Sequence, residues 1–156
     1  MAALTIARRS RSERGAVLVE AAIALPLLLL VVLGIVDFGL LFQRYEVLTN
    51  AAREGARVAV LPVGYSAADV KARVRQYIAA GGLKPADADP KDPVTDTLQL
   101  SSGGACVTVT TVTVTYPHAF SFVGGIVRFF GGTGFGTTQL TATASMRSEG
   151  PAMACA

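Results

Sequence analysis

The sequence predicts an α+β protein in which one long N-terminal helix crosses a membrane and continues into a small domain. That domain is expected to hold a short helix and an antiparallel sheet. Three observations support this fold class. Residues 16–36 are apolar apart from Glu20, apolar residues then recur at helical spacing up to residue 60, and the last third alternates in the two-residue period of strands.

The apolar run has the length of a membrane span. Ala16 to Val36 is 21 residues, which is roughly 31 Å of helix against a hydrocarbon core of about 30 Å. The basic residues before it predict that the N-terminus stays in the cytoplasm and that residues from Asp37 onward lie beyond the membrane. Pro26 predicts a kink in the first half of the span, because proline removes a backbone donor. The basic residues are Arg8, Arg9, Arg11 and Arg14.

Charge and processing signals limit the function classes. The formal net charge is +3, and residues 1–15 carry all of it, with four arginines and one glutamate. A basic leader therefore explains the charge, and nucleic-acid binding is not expected. A cleaved secretory signal is not expected either, because the nearby small-x-small site, Ala22–Ala24, precedes most of the apolar run. The apolar segment should be retained.

Glu20 is the unusual residue of the span, since a carboxylate inside a membrane is costly. It lies five residues after Gly15, and this arrangement resembles a type IV prepilin cleavage site. A peptidase at the membrane face would cut after Gly15 and leave a new α-amino group on Ala16. That amine and a neighbouring subunit's carboxylate could neutralise each other. The alternative is that Glu20 only extends to the headgroups.

The residues around this site resemble the TadE-like family, pseudopilin-like components of tight-adherence (Flp-type) pilus assembly. The resemblance covers about Arg14 to Val60, and one position departs from it, because the family usually has an aromatic residue where this chain has Ala21. The pieces that carry it are Arg14-Gly15, Val19-Glu20, Ala24-Leu25-Pro26, Gly34-Ile35, Asp37-Phe38-Gly39 and Leu48-Thr49-Asn50-Ala51-Ala52-Arg53-Glu54-Gly55-Ala56-Arg57.

The resemblance implies a division of the chain and a set of partners. Residues 1–15 would be a basic cytoplasmic leader, 16–36 a transmembrane helix of the bacterial inner membrane, and 37–156 a periplasmic α+β domain of the pseudopilin kind. Pro26, Gly34 and Asp37 are predicted as membrane residues. Membrane lipid, a prepilin peptidase and other pseudopilins or pilus assembly proteins would be the partners. Whether the subunit enters the filament or stays in the assembly complex is left open, as is its specific partner.

After Asp37 the helix is expected to continue to about Val60 and to end at Pro62 and Gly64. A second helix is predicted from Ser66 as N-cap to Gly81-Gly82. Its expected buried residues are Val70, Val74, Tyr77 and Ile78. The expected apolar stripe of the first helix is Phe38, Leu41, Phe42, Tyr45, Leu48, Ala52, Gly55, Ala56 and Ala59.

The second half is predicted to be strands joined by loops. Residues 84–93 are proline-rich and charged, which predicts an exposed linker. Residues 97–100, 106–116 and 137–146 are the predicted strands, and Leu140, Ala142, Ala144 and Met146 share one face. The valine–threonine alternation slips at Thr110-Thr111, which predicts a β-bulge. Residues 123–136 hold six glycines and predict a flexible apolar loop.

Cys106 and Cys155 are the two cysteines, and both lie in the part placed beyond the membrane. Oxidation is favoured there, so a disulfide is one prediction and two free thiols are the alternative. A metal site is not expected, because one histidine and two distant cysteines lack ligand spacing. His118 has no nucleophile motif beside it and is expected to be an exposed loop residue, so no enzyme activity, cofactor or small-molecule substrate is predicted.

Two function classes therefore remain. One is a structural pseudopilin-like subunit processed after Gly15. The other is an unprocessed, single-pass anchored protein whose periplasmic domain binds a partner or ligand. They differ at Gly15, because only the first requires cleavage there.

Overall fold

The fold is described from a computed structural model, which describes residues 6–62, 64–99, 105–129, 131–133, 136–148 and 153–154. It contains a long N-terminal helix, shorter helices and an antiparallel sheet, so the predicted α+β class is confirmed. The elements are α1 (Ile6–Ala59), α2 (Ala67–Ala80), β1 (Asp89–Pro90), β2 (Val94–Gln99), β3 (Ala105–His118), α3 (Val123–Phe129), β4 (Thr138–Arg147) and β5 (Met153–Ala154).

Helix α1 is longer than predicted and has no interruption at residue 15 or residue 36. It begins inside the basic leader and passes through Pro26 as helix. The structure groups the described chain into two compact units. The first contains residues 1–39 with 120–135, and the second contains residues 40–119 with 136–156. Helix α1 supplies residues to both units.

Helix α2 forms as the sequence predicts. The Ser66 side chain accepts from the backbone N–H of Asp69, and the Asp69 carboxylate accepts from the backbone N–H of Ser66 at 3.0 Å. This reciprocal capping satisfies two donors that the first turn leaves free. Gly81 is the C-cap of the helix, and Gly82 follows it with φ of +77°, a conformation that residues with side chains disfavour. Val70, Val74 and Ile78 are buried as predicted, but Tyr77 is 38% exposed.

Strand β3 is the hub of the sheet, because the four other strands described here all pair with it, each antiparallel. Strands β2 and β4 both pair with residues 109–111 of β3, so they lie on opposite edges of it. The predicted bulge at Thr110-Thr111 is wrong, since the register to both neighbours is continuous there. Thr110 instead takes a core position and is 6% exposed. Its hydroxyl lies 3.4 Å from that of Thr95.

The core of the second unit lies between the two helices and one face of the sheet. On α1 it begins at Leu48, and the predicted stripe is wrong towards its start, since Phe38, Phe42 and Tyr45 are exposed. Periodicity identifies a helix face, but it does not show where the opposing layer begins. Leu140 and Ala142 are buried on β4, as predicted. The remaining buried core residues are Ala51, Ala52, Ala56, Val58, Val70, Val74, Ile78, Ala88, Val112, Val114 and Tyr116.

Two predicted irregular segments contain regular structure. The linker at residues 84–93 includes β1, where Pro90 is buried and pairs with Val114. The glycine-rich stretch at 123–136 begins with α3, so its prediction as a loop is wrong for Val123–Phe129. The cause is a long-range contact, because Asp37 accepts hydrogen bonds from the backbone at the start of α3.

Candidate functional site

The apolar part of α1 has no protein layer around it in the described chain. Its large side chains stay exposed on every side of the helix, with Leu18 and Ile23 both at 71%. Residues Gly15–Ala59 form one helix that is long and apolar enough to cross a membrane. A fully exposed apolar helix of this length requires a lipid or protein surface outside the chain, because water is a poor solvent for it.

The predicted processing residues lie on this exposed helix. Gly15, Ala16 and Glu20 are all exposed. A Cβ atom added at Gly15 would meet nothing within 4 Å. No contact within the described chain therefore requires a glycine at this position. The roles of these three residues stay predictions.

Asp37 is the buried charged residue at the end of the apolar run, and it is 1% exposed. Its carboxylate accepts three backbone hydrogen bonds: from Ser121 N at 3.2 Å, Phe122 N at 2.9 Å and Val123 N at 2.7 Å. Hydrogen bonds to an ionised carboxylate are stronger than those between neutral groups. Together they fix the start of α3 against α1.

Two further contacts of the first unit join the same segments. The ring of Phe38 meets that of Phe120 edge-on, with centroids 5.8 Å apart. A Cβ atom at Gly34 would lie 3.9 Å from Val123 Cγ2, an ordinary contact distance. Gly34 and Asp37, predicted only as membrane residues, thus also position α3. Pro26, the third, lies in the exposed part of the helix, and its predicted kink stays a prediction.

Glu54 forms an ion cluster between α1 and α2. Its Oε1 accepts from Arg57 Nη2 at 2.9 Å and from Arg73 Nη2 at 2.8 Å. The hydrogen bonds from Arg57 and then Arg73 lower the pKa of Glu54 from 4.5 to about 2. The Glu54 side chain is 17% exposed, whereas the two arginines are 55% and 43% exposed. The sequence placed Glu54 and Arg57 one turn apart, but gave no reason to choose Arg73 as the second partner.

His118 is not the exposed loop residue that was predicted. It ends β3, is 1% exposed, and its Nδ1 lies 3.0 Å from Arg44 Nη1. Arginine can only donate, so His118 Nδ1 is the acceptor in this contact. The contact ties the end of β3 to α1. The sequence missed it because the two residues are 74 positions apart.

The cysteines are placed only in part. Cys106 is buried on β3, 7% exposed, while Cys155 lies outside the described residues. Strand β5 pairs with β3 so that Met153 is opposite Cys106. Cys106 is disulfide-bonded, and no free cysteine occurs among the described residues. That its partner is Cys155 stays a prediction. Across the described residues, no group of three or more His, Cys, Asp or Glu is placed to hold a metal ion.

Comparison with known proteins identifies the N-terminal part of the chain. The family model described as TadE-like protein matches residues 15–57. Neither the curated proteins nor the solved structures contain a match. The match begins at Gly15 and ends at Arg57, so it includes the exposed span, Asp37 and two members of the Glu54 cluster. The predicted resemblance is confirmed over this range: residues 15–57 are similar to the TadE-like family.

Proposed function

We propose that this chain is a structural, pseudopilin-like component of tight-adherence pilus assembly, without an enzymatic role. It is anchored in the bacterial inner membrane by residues 16–36 and is cut after Gly15 by a prepilin peptidase. The observation that carries the proposal is the exposed apolar stretch of α1 that follows Gly15, holds the carboxylate of Glu20 five residues after that glycine and lies within the TadE-like match.

The surroundings of Gly15 support recognition by another protein. A glycine inside a helix costs about 0.5–1 kcal/mol relative to alanine. Since a Cβ atom at Gly15 would meet nothing, packing within the described chain does not explain the choice of glycine. A peptidase that must approach the backbone closely would explain it. The bond lies inside α1 in the uncut chain, so the first turns must open locally before cleavage.

Glu20 acquires its role after cleavage. The new amine on Ala16 would lie four residues before Glu20, which is about 6 Å along the helix axis. The amine and the positive end of the shortened helix both favour a carboxylate nearby. Glu20 is exposed, so the carboxylate of one subunit can reach the amine of another when the helices pack side by side. Such pairing neutralises both charges where water is scarce.

The mass of the protein isolated from its native cell tests processing. Cleavage makes the chain about 1.5 kDa lighter, given 16.1 kDa for 156 residues. Gly15→Leu should keep the full mass. Gly39→Leu is the matched control, because Gly39 also lies in α1 and a Cβ there also meets nothing within 4 Å. If the native chain begins at Met1 or Ala2 although the peptidase is present, cleavage after Gly15 does not occur. The alternative function, an unprocessed membrane-anchored protein, then replaces this proposal.

Orientation is tested separately. The arginines before the span should hold the N-terminus in the cytoplasm. An enzyme that is active only after export should therefore be active when it is fused to residue 156. If a reporter that is active only in the cytoplasm is active at the same position, the orientation is the opposite of the one proposed. The reason to expect a disulfide is then removed as well.

A further inference from the structure

The segment from Phe120 to Phe129 is strongly apolar, and the proposed function does not use it. Phe122 is 43% exposed and Arg128 is exposed, while Val123, Ile126 and Val127 are half-buried. Apolar side chains that stay open to solvent around a short helix need a further surface to cover them. The position of the segment indicates which surface that is.

The segment is fixed to the end of the apolar run. The Asp37 carboxylate holds the backbone N–H groups of residues 121–123, and Phe38 packs its ring on Phe120. Val123 lies at contact distance from the Gly34 position. Gly34 is two residues before Val36, the end of the apolar run, which is roughly 3 Å along the helix. Val123 is therefore at the level where the span would leave the hydrocarbon.

The chemistry of the segment suits this level. Aromatic side chains are enriched at the boundary between hydrocarbon and headgroups. Arg128 can extend its guanidinium towards lipid phosphates while its methylenes stay in apolar surroundings. The three N–H groups that Asp37 binds are satisfied by its carboxylate and do not need water. The segment lies beside the last turn of the apolar run, where Ile35 and Val36 of α1 remain exposed.

We propose that residues 120–129 form a second membrane contact, in which Asp37 holds the segment so that Phe122 enters the lipid interface. The occupant of this surface is the bilayer itself. The inference rests on the proposed membrane span of residues 16–36. It adds that the membrane is also contacted by a segment more than 80 residues away in sequence from Asp37, the residue that holds it.

Single tryptophan reporters test the contact, since the chain contains no tryptophan. Three full-length variants would be reconstituted in phosphatidylcholine and phosphatidylglycerol vesicles whose acyl chains carry bromine at a shallow or a deep position. Ile23→Trp reports the span, Phe122→Trp reports the proposed contact, and Tyr77→Trp reports α2 in the other unit. We expect strong quenching of Ile23→Trp, stronger shallow than deep quenching of Phe122→Trp, and little quenching of Tyr77→Trp.

The outcomes separate the two proposals. Unquenched Ile23→Trp would overturn the membrane span and this inference with it. Quenched Ile23→Trp, with Phe122→Trp no more quenched than Tyr77→Trp, would overturn this inference alone. The emission of Phe122→Trp could instead stay unquenched and shift to the blue as the protein concentration rises. That result would assign the surface to a second copy of the chain and would also overturn this inference.

A separate set of variants tests the role of Asp37. Adding Asp37→Ala to Phe122→Trp should reduce the shallow quenching by half or more, because three N–H groups lose their acceptor and the segment is released. Adding Asp37→Ala to Ile23→Trp is the control, and its quenching should not change. Equal quenching of Phe122→Trp with and without Asp37 would show that Asp37 does not hold the segment and would overturn that part of the proposal.

Discussion

Gly55 of α1 lies close to both α2 and the sheet, and its replacement by alanine gives a sharp test of the core. A Cβ atom at Gly55 would lie 2.6 Å from Val74 Cγ2 and 3.2 Å from Val112 Cγ1. The first distance is too short for any pair of non-bonded carbon atoms, so the Val74 side chain or α2 itself would have to move. Overpacking of this kind costs about 1–3 kcal/mol.

Helix propensity opposes that cost. Alanine is favoured over glycine inside a helix by about 0.5–1 kcal/mol. We therefore expect Gly55→Ala to lower the free energy of unfolding by about 1–2 kcal/mol. In a Val74→Ala background the 2.6 Å contact disappears, so the same change should be neutral or stabilising by up to about 1 kcal/mol. The coupling between the two sites is then roughly 2 kcal/mol.

Urea unfolding of the full chain in non-ionic detergent measures this, with the near-ultraviolet circular dichroism of tyrosine as the signal. Tyr116 is 5% exposed and belongs to the same core. A loss of 1–2 kcal/mol moves the midpoint by roughly 1 M urea. Gly39→Ala is the control, because its Cβ meets nothing within 4 Å. An equal loss from Gly55→Ala with and without Val74 would refute the steric explanation.

Three further predictions concern charge and covalent structure. The Glu54 pKa is lowered from 4.5 to about 2, so its stabilisation is complete above pH 4.5 and is lost as the pH falls towards 2. Glu54→Gln should lower the free energy of unfolding by about 1–2 kcal/mol at pH 7 and by little at pH 2. The pH 7 figure is reduced from the full pKa shift because both arginine partners are about half exposed and solvent screens the ion pairs. Urea unfolding at each pH measures the difference. Glu20→Ala should still insert into membranes but co-purify poorly with partner subunits. Alkylation of the unreduced protein should leave Cys106 and Cys155 unmodified if they are bridged, and full modification of both would exclude the bridge.

The sequence predicted those elements whose causes are local. Ser66 and Asp69 cap α2 through contacts three residues apart, and the alternation in β4 places Leu140 and Ala142 in the core. The conformation at these positions depends on residues only a few positions away in the sequence. Prediction from a single sequence therefore succeeds for them.

The predictions that failed depend on distant partners. Six glycines make residues 123–136 resemble a loop, yet α3 forms because Asp37, more than 80 positions earlier, accepts from its first backbone donors. Thr110 breaks the alternation of β3, but paired strands on both edges hold the register and bury it. His118 is buried through Arg44. None of these contacts leaves a local pattern in the sequence.

The TadE-like segment divides into two parts whose surroundings differ. From Gly15 to Val36 its side chains are almost all exposed, so whatever contacts them lies outside the described chain. The proposed function assigns these contacts to lipid, a peptidase and neighbouring subunits. Between Asp37 and Arg57 several residues contact other parts of the chain: the Asp37 carboxylate binds the start of α3, and Gly55 lies close to Val74 of α2 and Val112 of β3. Substitutions in the first part should therefore affect insertion, processing and assembly while the second unit stays folded. Substitutions between Asp37 and Arg57 should instead lower the free energy of unfolding, and should affect assembly only because the folded protein is less stable.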